Sequence, residues 1–300
     1  MNCCQSQCSK DRVGEWLIQA GANAWGVALA ESVDPDAVAI YDRWIASGAH
    51  GGMDYLERYS DVRNDPRLLL DGAQCIIVAA FNYQPSRRQD AGVPVIADYA
   101  LGDDYHTVLR QRLDRVARQL VEAYGGTTRV CVDTAPLRER YWAVRAGVGF
   151  VGISNQLIIP GYGSRFFLGE ILWTGSLDPD EPCRMSCDGC MRCVQACPGA
   201  AIEATGGFCA ARCLSYLTIE HRGDLPASVA LGNRIYGCDR CQDVCPHNRD
   251  SRPTAIAEFE PRPALLSLTC QQIGCMTQPE FSALFRNSAI KRTKLSGLQR

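Results

Sequence analysis

The run Cys187-x2-Cys190-x2-Cys193-x3-Cys197-Pro198 brings four thiols into one short segment. Thiolates at this spacing hold three irons of a cubane from a single tight loop, and the fourth cysteine reaches a second cluster. Further on, Cys238-x2-Cys241-x3-Cys245-Pro246 repeats the last three positions, but Ile235 stands where the first cysteine should be. The missing ligand must fold back from elsewhere, and Cys213 or Cys209 can supply it. The expected assignment is crossed: Cys187, Cys190 and Cys193 join Cys245, while Cys197 joins Cys238, Cys241 and the folded-back thiol. Cys-x2-Cys pairs also build zinc ribbons, but the repeated Cys-Pro ending favours two four-iron clusters. Asp188 and Asp239 within the motifs are expected as solvated loop residues, and Cys183 as a bystander thiol. Clusters pass electrons singly and leave organic chemistry to a partner group. The long segment ahead of them should therefore contain an acceptor, since a bare electron carrier would not need it.

The elements that position these thiols follow from where the cysteines fall. Ten of the seventeen lie between Cys183 and Cys245, and the stretch Asp178-Pro179-Asp180-Glu181-Pro182 resists helix and strand, so a boundary is expected near residue 180. Ahead of it, Arg12 to Ala20 and Val38 to Ser47 read as helices, and Cys75 to Phe81 as a buried strand. His106 to Tyr124 carries apolar residues at helical spacing and is stopped by Gly125-Gly126. Thr128 to Asp133 reads as a strand ending at a carboxylate, and Leu137 to Ala146 as a helix. Gln156 to Pro160 and Phe166 to Trp173 are further strand candidates. The fold class is α+β or α/β with a mixed sheet, divided into residues 1–180, a ferredoxin-like part 181–250 with two clusters, and a helical tail 251–300.

Composition narrows the function. With 300 residues, 46% hydrophobic and 21% charged, the chain can bury real cores, and its 17 cysteines are too sparse for a disulfide scaffold. The longest apolar stretch is too short to span a membrane and no leader is evident, so a cytoplasmic protein with no membrane partner is expected. A net charge of -2 gives no global attraction to nucleic acid; only residues 251–300, with seven basic and three acidic side chains, are clearly basic. A phosphate-binding face or a solvated tail would each account for that stretch. Gly147-Val148-Gly149-Phe150-Val151-Gly152, with Glu170 downstream, fits the dinucleotide fingerprint in letters, but it follows a helix where a strand is required. Asp104-Tyr105-His106 begins like a cobalt-ligating histidine motif, yet Leu109 occupies the glycine position, so a cap or core role for His106 is favoured. Cys3, Cys4 and Cys8 read as bystanders in a polar terminus.

Several segments together resemble the epoxyqueuosine reductases: Val132-Asp133-Thr134-Ala135-Pro136, Gly149-Phe150-Val151-Gly152 with Asn155, Phe167-Leu168-Gly169-Glu170-Ile171, the cysteine run, and Arg212-Cys213-Leu214-Ser215-Tyr216-Leu217-Thr218-Ile219-Glu220. The resemblance runs from about residue 12 to the C-terminus. It implies a cobalamin-dependent oxidoreductase with two 4Fe-4S clusters, which removes the epoxide oxygen of epoxyqueuosine at the tRNA wobble position. Residues 1–180 would then be the cobalamin-binding catalytic domain. It favours Cys213 over Cys209 as the folded-back ligand. Asp133 matches the family's proton donor, while Arg58, Asp133, Asn155 and Ser215 match cobalamin contacts. Burial of Asp133 beneath the corrin is expected to raise its pKa and make it a usable acid. Arg222, Lys291 and Arg292 are candidate tRNA contacts. The partners implied are tRNA carrying epoxyqueuosine and a separate electron donor, with the protein acting as a monomer.

The chain departs from the family in two ways. It has no cysteine shortly before the Tyr-His pair, where some members place one over the cobalamin, and it stops without the helical-repeat domain of many members. Rival readings are a cobalamin-dependent reductive dehalogenase, usually exported behind a twin-arginine leader, and a non-catalytic electron-transfer protein.

Overall fold

The computed structural model describes residues 9–226 and 229–300; Cys3, Cys4 and Cys8 lie outside the described residues. Its centre is a four-stranded sheet in the order β1 (Ala24–Leu29), β2 (Cys75–Asn82), β7 (Phe166–Trp173), β4 (Thr128–Cys131). All eight residues of β2 are buried. Alternate residues serve opposite faces: Cys75, Ile77, Ala79 and Phe81 enter one core, and Ile76, Val78 and Ala80 the other. Helices cover both faces. α4 (Tyr105–Tyr124) lays Val108, Leu109, Leu113, Val116, Ala117 and Leu120 on the first, and α5 (Glu139–Arg145) puts Trp142 and Ala143 into the second. α1 (Lys10–Gln19) joins the first core through Val13 and Leu17. Each fully buried Leu, Ile or Phe in such a core contributes about 1.5–3 kcal/mol relative to exposure.

The expected mixture of strand and helix is present, with a definite pairing. Every neighbour in the central sheet is antiparallel, and among the described residues parallel pairing occurs in the short ladder of β3 (Val95–Ile96) with β8 (Arg234–Tyr236). β1 has no counterpart in the sequence reading. Its Ala and Gly content is a weak strand signal, and it forms by pairing along the whole of β2, from Ala24 opposite Ala80 to Leu29 opposite Cys75. β5 (Phe150–Val151) and β6 (Leu157–Ile158) make a small hairpin. The glycine run thus leaves a helix at Gly147 and enters a strand. α2 (Pro35–Ala46) and α3 (Ser60–Asn64) flank the sheet's connections.

The cysteine-bearing part contains α6 (Arg192–Ala196), α7 (Leu214–Ile219) and α8 (Arg240–Asp243). It is fastened to the sheet at several points. The Asp180 carboxylate accepts from Lys10 Nζ at 2.7 Å and from the Val27 N–H at 2.9 Å, so the Pro-rich stretch is tied down rather than free. Arg165, 3% exposed, donates to Asp243 at 2.6 Å and lies 3.2 Å from Asp98. The tail is folded rather than merely solvated. α9 (Pro263–Leu266), α10 (Cys270–Gly274), α11 (Gln278–Leu284) and α12 (Lys294–Leu298) follow in order, and Leu265, Phe281, Phe285, Ile290 and Leu298 share a core with Ile96, Leu101 and Tyr236. Among the described residues no helix is long and apolar enough to cross a membrane.

Candidate active site

A cavity of about 320 Å³ opens where the end of β4, the start of α4 and the cysteine loops meet. Asp133, just beyond β4, lines it with a left-handed backbone at φ 52°. Its Oδ2 accepts from the Tyr105 hydroxyl at 2.8 Å and lies 3.0 Å from His106 Nε2. The other ring nitrogen of His106 lies 2.7 Å from Asp104, which caps α4 by accepting the His106 N–H. An imidazole facing carboxylates through both nitrogens has two donors to give only when doubly protonated. Burial works against the charge, but the hydrogen bonds to Asp104 and Asp133 and their negative charges prevail, raising the His106 pKa to about 9. Tyr105 is stacked between rings, 4.3 Å from Phe167 and 4.0 Å from His106.

The groups of the protein itself act on Asp133 in the sense opposite to burial beneath a corrin. Burial pushes its pKa up, but the hydrogen bonds from His106 and Tyr105 and the imidazolium charge outweigh this, holding it below the usual aspartate value. The side chain is 56% exposed toward the cavity, although protein encloses it on its other sides. The proton of this group therefore stands on His106 at neutral pH. His106 was noticed in the sequence only as a possible metal ligand or a cap. Its contact with Asp133 crosses 27 residues and has no local signature.

Two further carboxyls lie behind Asp133. Glu139, in the first turn of α5, accepts the Asp133 backbone N–H. Burial, followed by the charge of Asp133, raises its pKa to about 8. Glu170 in β7 is 0% exposed, and burial together with the facing Glu139 raises its pKa well above the ordinary value. Sequence reasoning met Glu170 as the acid of a rejected dinucleotide motif and within a segment of the family resemblance, with no role attached to it.

The cysteines fall into two groups of four. Cys187 and Cys190 are the cysteines whose charge acts on both Cys193 and Cys245. Cys213, Cys238 and Cys197 act on Cys241. Cys213, the thiol that the resemblance favours for the folded-back place, thus lies beside Cys197, Cys238 and Cys241. Cys213 is the N-cap residue of α7, and Gly199 allows it to approach Cys197, because a Cβ there would lie 1.9 Å from the Arg212 carbonyl oxygen. Ile235, at the missing position, is committed to β8. Among the described residues no three His, Cys, Asp or Glu side chains stand close enough for one shared ion. Cys197, Cys213, Cys238 and Cys241 line the same cavity as Asp133. Asp239, expected as solvated, instead turns inward and accepts the Asp98 N–H at 2.6 Å.

The remaining candidates are dispersed. Ser215, in the first turn of α7, lines the cavity. Asn155 does not line it but sits between two residues that do, Ser154 and Gln156; its backbone is left-handed at φ 58° and its carbonyl accepts from Arg140 at 2.7 Å. Arg58 is exposed, and its carbonyl is held by Arg63. Arg222 donates to the Arg292 carbonyl at 3.0 Å, and Arg292 makes a two-point ion pair with Glu220 at 2.9 Å. The negative charge of Asp133 reaches Arg292, so this edge adjoins the site. Lys291 is exposed beside it.

The cavity walls suit a broad, largely apolar macrocycle with polar edges. Leu157, Phe166, Leu168 and Leu214 offer apolar surface, and Ser154, Gln156 and Ser215 offer hydrogen-bonding groups around them.

Comparisons with known proteins agree with this arrangement. The family model described as "Epoxyqueuosine reductase QueG, DUF1730" matches residues 63–134, and that described as "4Fe-4S double cluster binding domain" matches residues 186–248. An epoxyqueuosine reductase of Leadbetterella byssophila is 38% identical over 297 residues, covering 96% of this chain and 95% of the relative. A crystal structure of an epoxyqueuosine reductase with an epoxyqueuosine-modified tRNA-Tyr stem loop has a TM-score of 0.87 at 31% identity, covering 97% of this chain and 78% of that one. A Bacillus subtilis epoxyqueuosine reductase, crystallised with its catalytic aspartate loop swung out of the active site, has a TM-score of 0.85 at 30% identity, with the same coverage. A double-cluster thiol framework opening onto a carboxylate-lined cavity, in a chain this similar to those proteins along nearly its whole length, makes it an oxidoreductase belonging to the epoxyqueuosine reductase family.

Proposed function

We propose that the protein works as a cytoplasmic monomer on tRNA, using cobalamin held in the cavity between Asp133 and the inner cysteine quartet. The observation carrying this reading is that Asp133 and Tyr105 share one cavity with Cys197, Cys213, Cys238 and Cys241, and that His106 contacts the Asp133 carboxylate at its edge. Residues 1–180 supply the proton-handling wall, 181–250 the cluster ligands, and 251–300 part of the tRNA edge. The eight cysteines hold two 4Fe-4S clusters, the outer by Cys187, Cys190, Cys193 and Cys245. Leu157, Phe166, Leu168 and Leu214 pack against the macrocycle, with Ser215 at its rim and Asn155 and Arg58 as the further contacts implied by the family resemblance. Cobalamin, when bound, supplies a low-potential centre that takes electrons singly and reduces the epoxide carbon.

The protein's own part is binding and proton handling. The overall change consumes two electrons and two protons, and the epoxide oxygen leaves as water. Ionised Asp133 cannot donate directly, so the His106 imidazolium passes a proton through Asp133 Oδ2 to the departing oxygen as charge develops on it. Tyr105 fixes the rotamer of that carboxylate from the other side. Asp104 keeps the imidazole charged and oriented, and a second proton reaches His106 from solvent at its partly exposed edge. Arg222, Lys291 and Arg292 face the phosphates of the anticodon arm. The Asp133 loop moves out of the cavity to admit the nucleotide, as the catalytic aspartate loop of the Bacillus subtilis relative is swung out of its active site.

The test is anaerobic incubation of cobalamin-loaded protein with a strong one-electron reductant and a tRNA stem loop bearing epoxyqueuosine. Digestion of the product should give a nucleoside lighter by one oxygen atom. Electron uptake without loss of oxygen would return the chain to the electron-carrier class.

A further inference from the structure

Glu139 and Glu170 are not used by the proton transfer just described, yet they are the most deeply enclosed acids near it. Glu170 stands in mid-sheet, with Val78 opposite on one side and Cys131 on the other. It is 0% exposed, and neither carboxyl oxygen meets a donor. The group facing it is another carboxyl, Glu139. The charges acting on Glu170 are those of Glu139 and Asp133, both negative. Arg140 and His106 bring positive charge to Glu139 alone, and Arg140 is already committed to the Asn155 carbonyl. Cys131, beside Glu170, has its pKa pushed up to about 12 by burial and the same acids, and stays a neutral thiol. With both glutamates ionised, two orphaned charges would lie in an apolar wall and no proton would stand between them. With one proton, Glu170 donates through one of its oxygens to Glu139, which otherwise accepts the Asp133 N–H, and one of the two orphaned oxygens gains a partner.

We propose that Glu139 and Glu170 share a single proton and that this acid pair is a positioning latch for the Asp133 loop. The link is the Asp133 N–H, which donates to Glu139. Asp133 holds a left-handed backbone that residues with a side chain rarely adopt, so it needs that acceptor fixed in place. While the proton is shared, Glu139 is anchored by Glu170 and in turn holds the loop in the cavity. When the proton leaves, the two carboxylates repel, Glu139 withdraws, and the Asp133 turn relaxes outward. The inference rests on the reading of Asp133 as the group that delivers the proton, but the pair can be observed without substrate.

The first test is an infrared pH titration of cofactor-free protein. A protonated-carboxyl component should persist at neutral pH, fade as pH rises further, and be lost, in an unaltered-minus-variant comparison, from Glu170→Gln, whose amide donates to Glu139 without a proton to lose. The absence of that band at pH 7 in the unaltered protein would overturn the proposal, whatever the turnover assay gives. The second test compares pH–rate profiles, each normalised to its own value at pH 6.5. The unaltered enzyme should lose about tenfold for each pH unit above the pair's midpoint, and Glu170→Gln should lack this limb while retaining the one set by His106 near pH 9. The limb above the pair's midpoint, left unchanged in Glu170→Gln, would refute the latch even if the shared proton is seen.

Discussion

The thiol side of the cavity and its acid side are built on opposite principles. Cys187, Cys190, Cys193 and Cys197 lie within one short segment, and Cys238, Cys241 and Cys245 within another. Their chemistry is written in local spacing, because a cubane has fixed dimensions that a tight turn must match. The acid side gathers Asp104, Tyr105 and His106 from the start of α4, Asp133 from beyond β4, Glu139 from α5 and Glu170 from β7. No spacing rule connects them; the sheet does. Electron delivery can therefore be read from a string of residues, whereas proton delivery exists only once the sheet has formed.

Substitutions should separate the two sides cleanly, and the largest effect belongs to the thiols. Replacing Cys213 with Ala should abolish turnover and lower iron from about eight to about four per chain, while Cys209→Ala should keep both; loss of iron in the Cys209 variant alone would reassign the ligand. Asp133→Asn should leave iron content untouched and slow single-turnover reduction by about 10²–10⁴-fold. If its iron content fell too, the two sides would not be independent.

His106→Gln should slow the reaction by about 10–100-fold, the worth of a lost hydrogen bond between charged partners, and should remove the upper pH limb. The sign follows from linkage. The folded-state pKa of His106 is raised from 6.5 to about 9, so its contribution to stability is complete below the lower value and lost as pH climbs through the upper one. Glu139, raised from 4.5 to about 8, acts in the same direction: the folded chain keeps a proton that the unfolded chain releases, and stability declines across that window. Thermal melts of cofactor-free protein from pH 5 to 9 should thus slope downward, less steeply in His106→Gln. The smallest effect is expected at the tRNA edge. Arg292→Ala should weaken stem-loop binding by several-fold and reduce its salt dependence by about one counterion, with no change at either the thiols or the acids.

Legibility followed the same division. The spans of α4 and β2 were visible because helical periodicity and a continuous apolar run are local, and ligand spacing, equally local, is what suggested the crossed cysteine grouping. β1 was not, since Ala24-Trp25-Gly26-Val27-Ala28-Leu29 becomes a strand only against β2. The sheet's antiparallel order could not be read either, because register is decided between segments about 90 residues apart. Asp239 looked like a solvated loop acid until the fold placed the Asp98 amide against it. The pKa of Asp133 was expected to move up through burial beneath the corrin. The sequence did not place His106 beside it, whose charge depends in turn on Asp104 and holds the carboxyl down in the protein alone. The family resemblance pointed to Asp133, but not to the groups that decide its protonation.

The central claim is that the acid wall and the inner cysteine quartet enclose one shared cofactor site. The most direct measurement is an anaerobic absorption spectrum of purified protein reconstituted with iron, sulfide and cobalamin, together with iron and cobalt content per chain after gel filtration. The account predicts about eight irons and one retained corrinoid, the latter lost on narrowing the cavity with Ser215→Trp while iron stays. Full iron with no retained corrinoid in the unaltered protein would contradict it.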